Sequence, residues 1–441
     1  MGRPVLMRSV WVAGALASAL VPAGCNAFLD NRNFQGPGTD DAAAGDGQVG
    51  VDATPVDACS GIGCMVTNCA SQGKPPTSLS GTVHTPDGAL PVYNALVYIP
   101  TAALDPIGDG PASPACASGA PLMHAFTDIA GHFKLDRVPT VPNLRLVVQV
   151  GKWRREVTIA EVADCQELAL PFDATRLPKN SSEGHLPLIA VSTGAAESLE
   201  CVGRSLGISD SEHTLGTGAG RIHLYAGDGS TTTMLGPDPL EPVTALYGRM
   251  AQYDMLLFSC DGRPITRPPT VVQGLLDYVN ARGWVWLSHF HASWVAPPTP
   301  FPQFAMFNLN GTAMPPSPIT ARIDTATPRG QAFADWMAMV GASPQPGLVS
   351  IENGRNTCLG VDAALAERQI YFDPSVSAGL SGVQLLTWAP GSGGRLLFSD
   401  IHLQQPLSTQ STFPAECQPG PLTPQGKSIA FQLFDQPTCV P

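Results

Sequence analysis

Two hydrophobic rhythms divide the chain. From about residue 78 to 172, apolar and polar positions alternate with a period of two, the repeat of a half-buried strand. Ser78–Val83, Asn94–Ile99, Ala125–Asp128, His132–Leu135, Leu144–Val150 and Glu156–Ile159 read as strands. Pro86-Asp87-Gly88 and Ala130-Gly131 read as turns between them, since proline presets one φ and glycine accepts a positive one. Arg154-Arg155 beside Trp153 reads as a solvated hairpin tip. Short strands with turn signals at this spacing predict an all-β sandwich over residues 77–175.

After Pro178 the rhythm changes. The apolar runs in Leu186–Ser192, Arg221–Tyr225, Tyr253–Ser259, Trp284–Leu287 and Arg395–Ser399 suit strands buried on both faces. Between them, Glu197–Leu206, Val271–Arg282 and Gly330–Val340 read as helices, the first two with a clear apolar stripe. Thr423 followed by Pro424 predicts the N-cap and first residue of a last helix reaching Phe434. Strand–helix alternation predicts an α/β unit over 183–441 built on a doubly wound, mostly parallel sheet. The fold class is therefore multidomain, a β-sandwich plus an α/β unit.

The N-terminus carries different information. Arg3 and Arg8 precede the apolar stretch Val10–Val21, the layout of an export signal. Val21-Pro22-Ala23-Gly24-Cys25 resembles a bacterial lipobox, with Pro22 where an aliphatic residue is usual. Residues 1–25 are expected to be a signal peptide with a degenerate lipobox, and Cys25 the lipidated residue; cleavage by ordinary signal peptidase is the alternative. Asn26 stands where an inner-membrane retention signal has Asp, so the resemblance implies outer-membrane sorting. Residues 26–76 read as a Gly/Asp/Ala-rich flexible tether and a cysteine-bearing connector. The expected location is the outer membrane, periplasm or cell surface, through an N-terminal anchor.

Composition supports this picture. Among 441 residues only 14% are charged, and the net charge is −12 with 24 Lys and Arg, which excludes a nucleic-acid binder. Setting Cys25 aside, Cys59, Cys64, Cys69, Cys116, Cys165, Cys201, Cys260, Cys358, Cys417 and Cys439 remain. An even set in an exported chain predicts disulfides. Cys417 with Cys439 would clamp the tail, and Cys260 is expected to pair with Cys201 or Cys358. The close spacing of Cys59, Cys64 and Cys69 would also suit a metal, although no histidine accompanies them.

Two family resemblances follow. Gly81-x-Val83-x-x-Pro86-x-Gly88, Pro91-x-x-Asn94-Ala95-x-Val97-x-Ile99 and Thr127-Asp128-x-x-Gly131-x-Phe133-x-Leu135-x-x-Val138-Pro139 resemble the carboxypeptidase regulatory-like, or transthyretin-like, domain. That resemblance implies a non-catalytic sandwich used as spacer, folding aid or adhesion module. Tyr253-Asp254-x-Leu256-Leu257, Cys260-Asp261-Gly262, Leu276-x-Tyr278-Val279-x-x-x-Gly283 and Trp284-Val285-Trp286-Leu287-Ser288-His289 resemble a class I glutamine-amidotransferase-like domain of the ThuA-like branch, a flavodoxin-like fold. The chain is also similar to two-domain exported proteins of myxobacteria, through Ser288–Trp294, Phe398–His402 and Phe431–Asp435. That group implies no particular activity.

The chemistry to be sought lies at the carboxyl ends of the strands, where open α/β sheets bind ligands. An amidotransferase needs a thiolate at a glycine-flanked elbow, but the corresponding turn reads Ser288-His289-Phe290, so glutaminase activity is not expected. Asp261, His289, His291, Asp400 and His402 follow successive strands, and Trp294 would form an apolar wall or sugar platform. If the strands continue, His289 and His291 share a side, as do Asp400 and His402. His289, His291 and His402 would suit zinc, though no cofactor is required. The same histidines would equally serve as core groups bonded to backbone carbonyls. The expected function is recognition of an envelope carbohydrate or protein without catalysis. The alternative is a glycan or ester hydrolase using the His/Asp set, with or without a metal.

Overall fold

The computed structural model describes residues 61–111, 116–310, 314–403, 411–417 and 420–435. The expected signal peptide over residues 1–25 with Cys25, the expected tether over residues 26–58, Cys59 and Cys439 lie outside the described residues. The protein is sheet-rich, with several sheets and few helices.

Ser78–Thr82 pairs antiparallel with His132–Asp136 and parallel with Glu167–Ala169. A four-stranded antiparallel sheet runs in the order Pro121–Phe126, Leu96–Pro100, Leu144–Val150, Trp153–Ile159. The period-two pattern shows why: Phe133 and Leu135 are buried while His132, Lys134 and Asp136 face water. Leu79, Val83 and Phe133 join Val97, Leu146 and Val148 of the second sheet in one buried cluster. Arg154 and Arg155 do not form a free hairpin tip. They lie within the last strand, where Arg154 donates to Asp105 O and Arg155 bonds Asp173 O, because Trp153 is buried and starts the ladder early.

Among the described residues the large sheet has eleven strands. Ile222–Ala226, Ile189–Ser192, Met255–Phe258, Trp284–Ser288 and Arg395–Ser399 are neighbours in that order, all parallel. Beyond Arg395–Ser399 the sheet turns antiparallel, through Gly382–Trp388, Ala366–Phe372, Ile319–Ile323 and Leu348–Ile351. A mostly parallel sheet therefore describes only the half that carries the strand ends of interest. The last helix, Pro424–Phe434, begins as its sequence dictates: the Thr423 hydroxyl accepts from Gly426 N at 3.1 Å.

The two small sheets sit firmly on this unit. Asp87 N donates to Leu206 O (2.9 Å), Trp336 Nε1 donates to Pro91 O (2.9 Å), and Tyr93 stacks on Phe431. A disulfide joins Cys69 to Cys165, and a second joins Cys201 to Cys417; Cys64 and Cys116 are also disulfide-bonded. Two expectations are corrected here. Cys417 pairs with Cys201, not Cys439, because the chain carries residue 417 back against the Glu200–Ser205 helix. Cys260 does not pair with Cys201, which is bonded to Cys417, nor with Cys358: Cys260 and Cys358 are both buried free thiols.

Buried acids flank the second disulfide. Both carboxyl oxygens of Glu200 lack a partner among the described residues, and Glu416 accepts from Thr232 Oγ1 at 2.7 Å. Burial pushes Glu416 up to about 7, against the pull of Thr232. A carboxyl raised on folding takes up a proton, so its stabilising effect is complete below the ordinary carboxylate range and is lost as pH rises through about 7. Glu416→Gln is expected to flatten the pH dependence of Tm between about pH 5 and 8 and to raise Tm at the alkaline end. An unchanged slope in differential scanning calorimetry would count against this protonation.

Candidate functional site at the carboxyl ends of the strands

The chain enters the large sheet at Ile189–Ser192, moves to one side at Ile222–Ala226, then crosses to the other at Met255–Phe258. The crevice of such a sheet lies at this reversal, beyond the carboxyl ends. Cys260 follows Met255–Phe258, His289 follows Trp284–Ser288, and His402 follows the third, Arg395–Ser399.

These three side chains converge. Cys260 Sγ is 3.3 Å from His289 Nδ1, and the rings of His289 and His402 are 5.1 Å apart between centroids. One donor atom from each of Cys260, His289 and His402 lies within 4.8 Å of the other two. All three are buried, at 0%, 5% and 3% exposure. The backbone is fixed from below by Glu197, whose Oε1 accepts from Cys260 N and Oε2 from Leu403 N, both at 2.9 Å. Gln425, in the first turn of the last helix, donates to His402 O at 2.9 Å.

His289 has φ +41°, in the left-handed region that a non-glycine residue occupies only under constraint. The strand stops at Ser288 and the chain tightens into a 3-10 segment, His289–Trp294. This corrects the expected alignment of His289 and His291. In a 3-10 turn, residues two apart diverge, whereas in a strand they share a face. His291 turns toward a second cluster instead. Its Nε2 donates to Ser259 O (2.8 Å), and its Nδ1 accepts from Trp294 Nε1 (2.9 Å) and faces Arg267 Nη2 at 3.2 Å. With both nitrogens engaged, His291 does not join His289 and His402 as a ligand.

Arg267 is the centre of that second cluster. It pairs with Asp261 Oδ2 at 2.6 Å, bonds Ile265 O and Ser293 Oγ, and lies 4.6 Å over the Trp294 ring. Trp294 is 0% exposed and Asp261 3%, so neither offers a face to a sugar, and the platform expected of Trp294 is absent. Asp400 and His402 also part company, because the strand ends at Ser399. Asp400 Oδ2 accepts from Thr357 N (2.6 Å) and Cys358 N (2.9 Å). Asp400 Oδ1 and His402 Nε2 are buried without a partner among the described residues. Sequence reasoning passed over Glu197, Arg267 and Thr357; their roles come from loops meeting across the sheet, and no local motif marks them.

Electrostatics keeps the convergent cluster neutral. Burial drives His289 down to about 2, helped by His402 and Arg355, and His402 down to about 3. Burial, with Glu197 nearby, pushes Cys260 up to about 12. Burial also raises Asp400 to about 7 against its amide donors. A protonated thiol beside a neutral imidazole is the reverse of the activated thiolate–imidazolium pair. The arrangement offers soft and borderline lone pairs, and Cys/His groups of this kind can hold a metal.

No family model matches the chain, and no curated protein matches it. Solved structures do include similar chains. One is described as a ThuA-like protein from Bacteroides uniformis, 9% identical, with a TM-score of 0.28 over 48% of this chain and 81% of that one. Another is the cytoplasmic protein STM3548 from Salmonella typhimurium, 11% identical, with a TM-score of 0.30 over 56% of this chain and 99% of that one.

Proposed function

We propose that this chain is an exported, lipid-anchored cell-envelope protein whose α/β unit recognises a carbohydrate or protein ligand without turning it over. In this reading a transthyretin-like β-sandwich is the spacer, and the larger unit is ThuA-like with flavodoxin-like strand order. The observation that carries it is the elbow after Trp284–Ser288. A nucleophile's place there is taken by His289, in a left-handed backbone conformation, and the neighbouring Ser288 is 0% exposed. The thiol across from it, Cys260, is equally buried, so neither Ser288 nor Cys260 meets solvent. The Cys69–Cys165 and Cys201–Cys417 disulfides suit an oxidising compartment.

The full-length protein, expressed in a Gram-negative host, is expected to incorporate labelled palmitate, and Cys25→Ala to abolish the label. Purified protein is expected to release no product from glutamine, nitrophenyl esters or nitrophenyl glycosides above a protein-free blank. A second reading, hydrolysis of glycans or esters, is favoured by one observation: Asp400 Oδ1 and His402 Nε2 are buried and unpartnered among the described residues. Turnover that His402→Ala removes would establish that reading and overturn the first.

A further inference from the structure

We propose that Cys260, His289 and His402 together form a binding site for one thiophilic metal ion, zinc or cuprous copper. The inference holds whether the α/β unit turns over a substrate or only binds one.

Three observations carry it. The first is donor chemistry and spacing: one sulfur and two imidazole nitrogens converge from the ends of three adjacent parallel strands. Bonds of ~2.0–2.3 Å at tetrahedral angles place ligand atoms roughly 3.3–3.8 Å apart. Cys260 Sγ and His289 Nδ1 already stand at 3.3 Å. The widest separation in the set is within 4.8 Å, so closing on an ion needs a movement of about 1 Å, within reach of side-chain rotation. The second is an orphaned atom. His402 is 3% exposed and its Nε2 has no partner among the described residues, which costs free energy unless something occupies that direction. The third is an outer support. Glu197 accepts from both Cys260 N and Leu403 N, holding one donor and the residue after another in fixed register.

The ion class follows from the set. One thiolate favours zinc, cadmium or cuprous copper over magnesium or calcium, which take oxygen. On binding, a sulfur–metal bond replaces the sulfur–hydrogen bond of Cys260 and one proton leaves to solvent; no electrons are exchanged. A thiolate and two neutral imidazoles carry one negative charge, so a monovalent ion leaves the buried site neutral. A divalent ion leaves one positive charge facing Glu197. His291 is excluded because both its ring nitrogens are engaged. Cys358 is a second buried free thiol outside the convergent set and serves as the control.

The test uses full-length protein, stripped with a chelator and titrated anaerobically with Zn²⁺ or Cu⁺ against a competing chromophoric chelator. One ion per chain is expected. Cys260→Ser and His402→Gln are each expected to weaken binding by more than about 100-fold, beyond the ~10–100-fold typical of outer partners. Cys358→Ser is expected to leave it unchanged. X-ray absorption on the wild-type ion complex is expected to show one sulfur at ~2.3 Å and nitrogen at ~2.0–2.1 Å, a readout independent of whether a variant folds. Absence of stoichiometric binding, a shell of oxygen and nitrogen alone, or unchanged affinity in Cys260→Ser would overturn the proposal.

Discussion

Cys201→Ala with Cys417→Ala is expected to destabilise the folded unit by about 5 kcal/mol, the chain-entropy value for so long a loop. The sequence separation is 216 residues, against 96 for Cys69–Cys165. Both cysteines are buried, at 0% and 6% exposure, so the substitutions also remove packing. Near the bridge, Glu200 has two buried oxygens without partners among the described residues, a local cost that the cross-link helps the fold to tolerate. A fall in Tm on the order of 10 °C is expected for a unit of this size. The double variant is the right one to measure, because a single substitution leaves a thiol free to exchange with other bridges. Thermal unfolding followed by circular dichroism under non-reducing conditions checks it. A change of only a degree or two would mean that the bridge contributes little.

Arg267→Met is expected to cost about 3–5 kcal/mol, because it strands the buried carboxylate of Asp261. The pair is more enclosed than a surface bridge, with the two side chains 2% and 1% exposed. Arg267 also holds Ser293 and Ile265 O in place and covers Trp294, so its loss frees the 3-10 segment that begins at His289. Adding Asp261→Asn to Arg267→Met removes the stranded charge, and the double variant is expected to recover part of the loss. Urea denaturation of the two single variants and the double variant measures the coupling. Additive losses would show that the two charges do not act as a pair.

Some of this architecture is written locally and some is not. The helix Pro424–Phe434 is legible because Thr423 and Pro424 supply cap and first-turn chemistry without help from the rest of the chain. Leu144–Val150 is legible because its alternation is strong. The antiparallel strands between 319 and 388 are not. Ala366–Phe372 carries Glu367 and Arg368, whose charges look like a loop until Arg329 and Asp324 are seen to pair with them across the fold. At the site, His289 and His402 are legible as polar residues following buried strands. The partner of Cys201 is a contact over 216 residues, which no local spacing encodes. The divergence of His289 and His291 rests on one left-handed residue that is not glycine, and nothing in Trp284–His291 announces it.

A thiol and disulfide map of full-length protein purified without reductant decides whether the Cys260 thiol is buried and free beside His289. Native protein is treated with iodoacetamide, then denatured, labelled with a second alkylating reagent and digested for mass spectrometry. Linked Cys69–Cys165 and Cys201–Cys417 peptides are expected, with Cys260 and Cys358 taking only the second label. A Cys260 disulfide, or rapid native alkylation of Cys260, would contradict a buried, unreactive thiol facing His289.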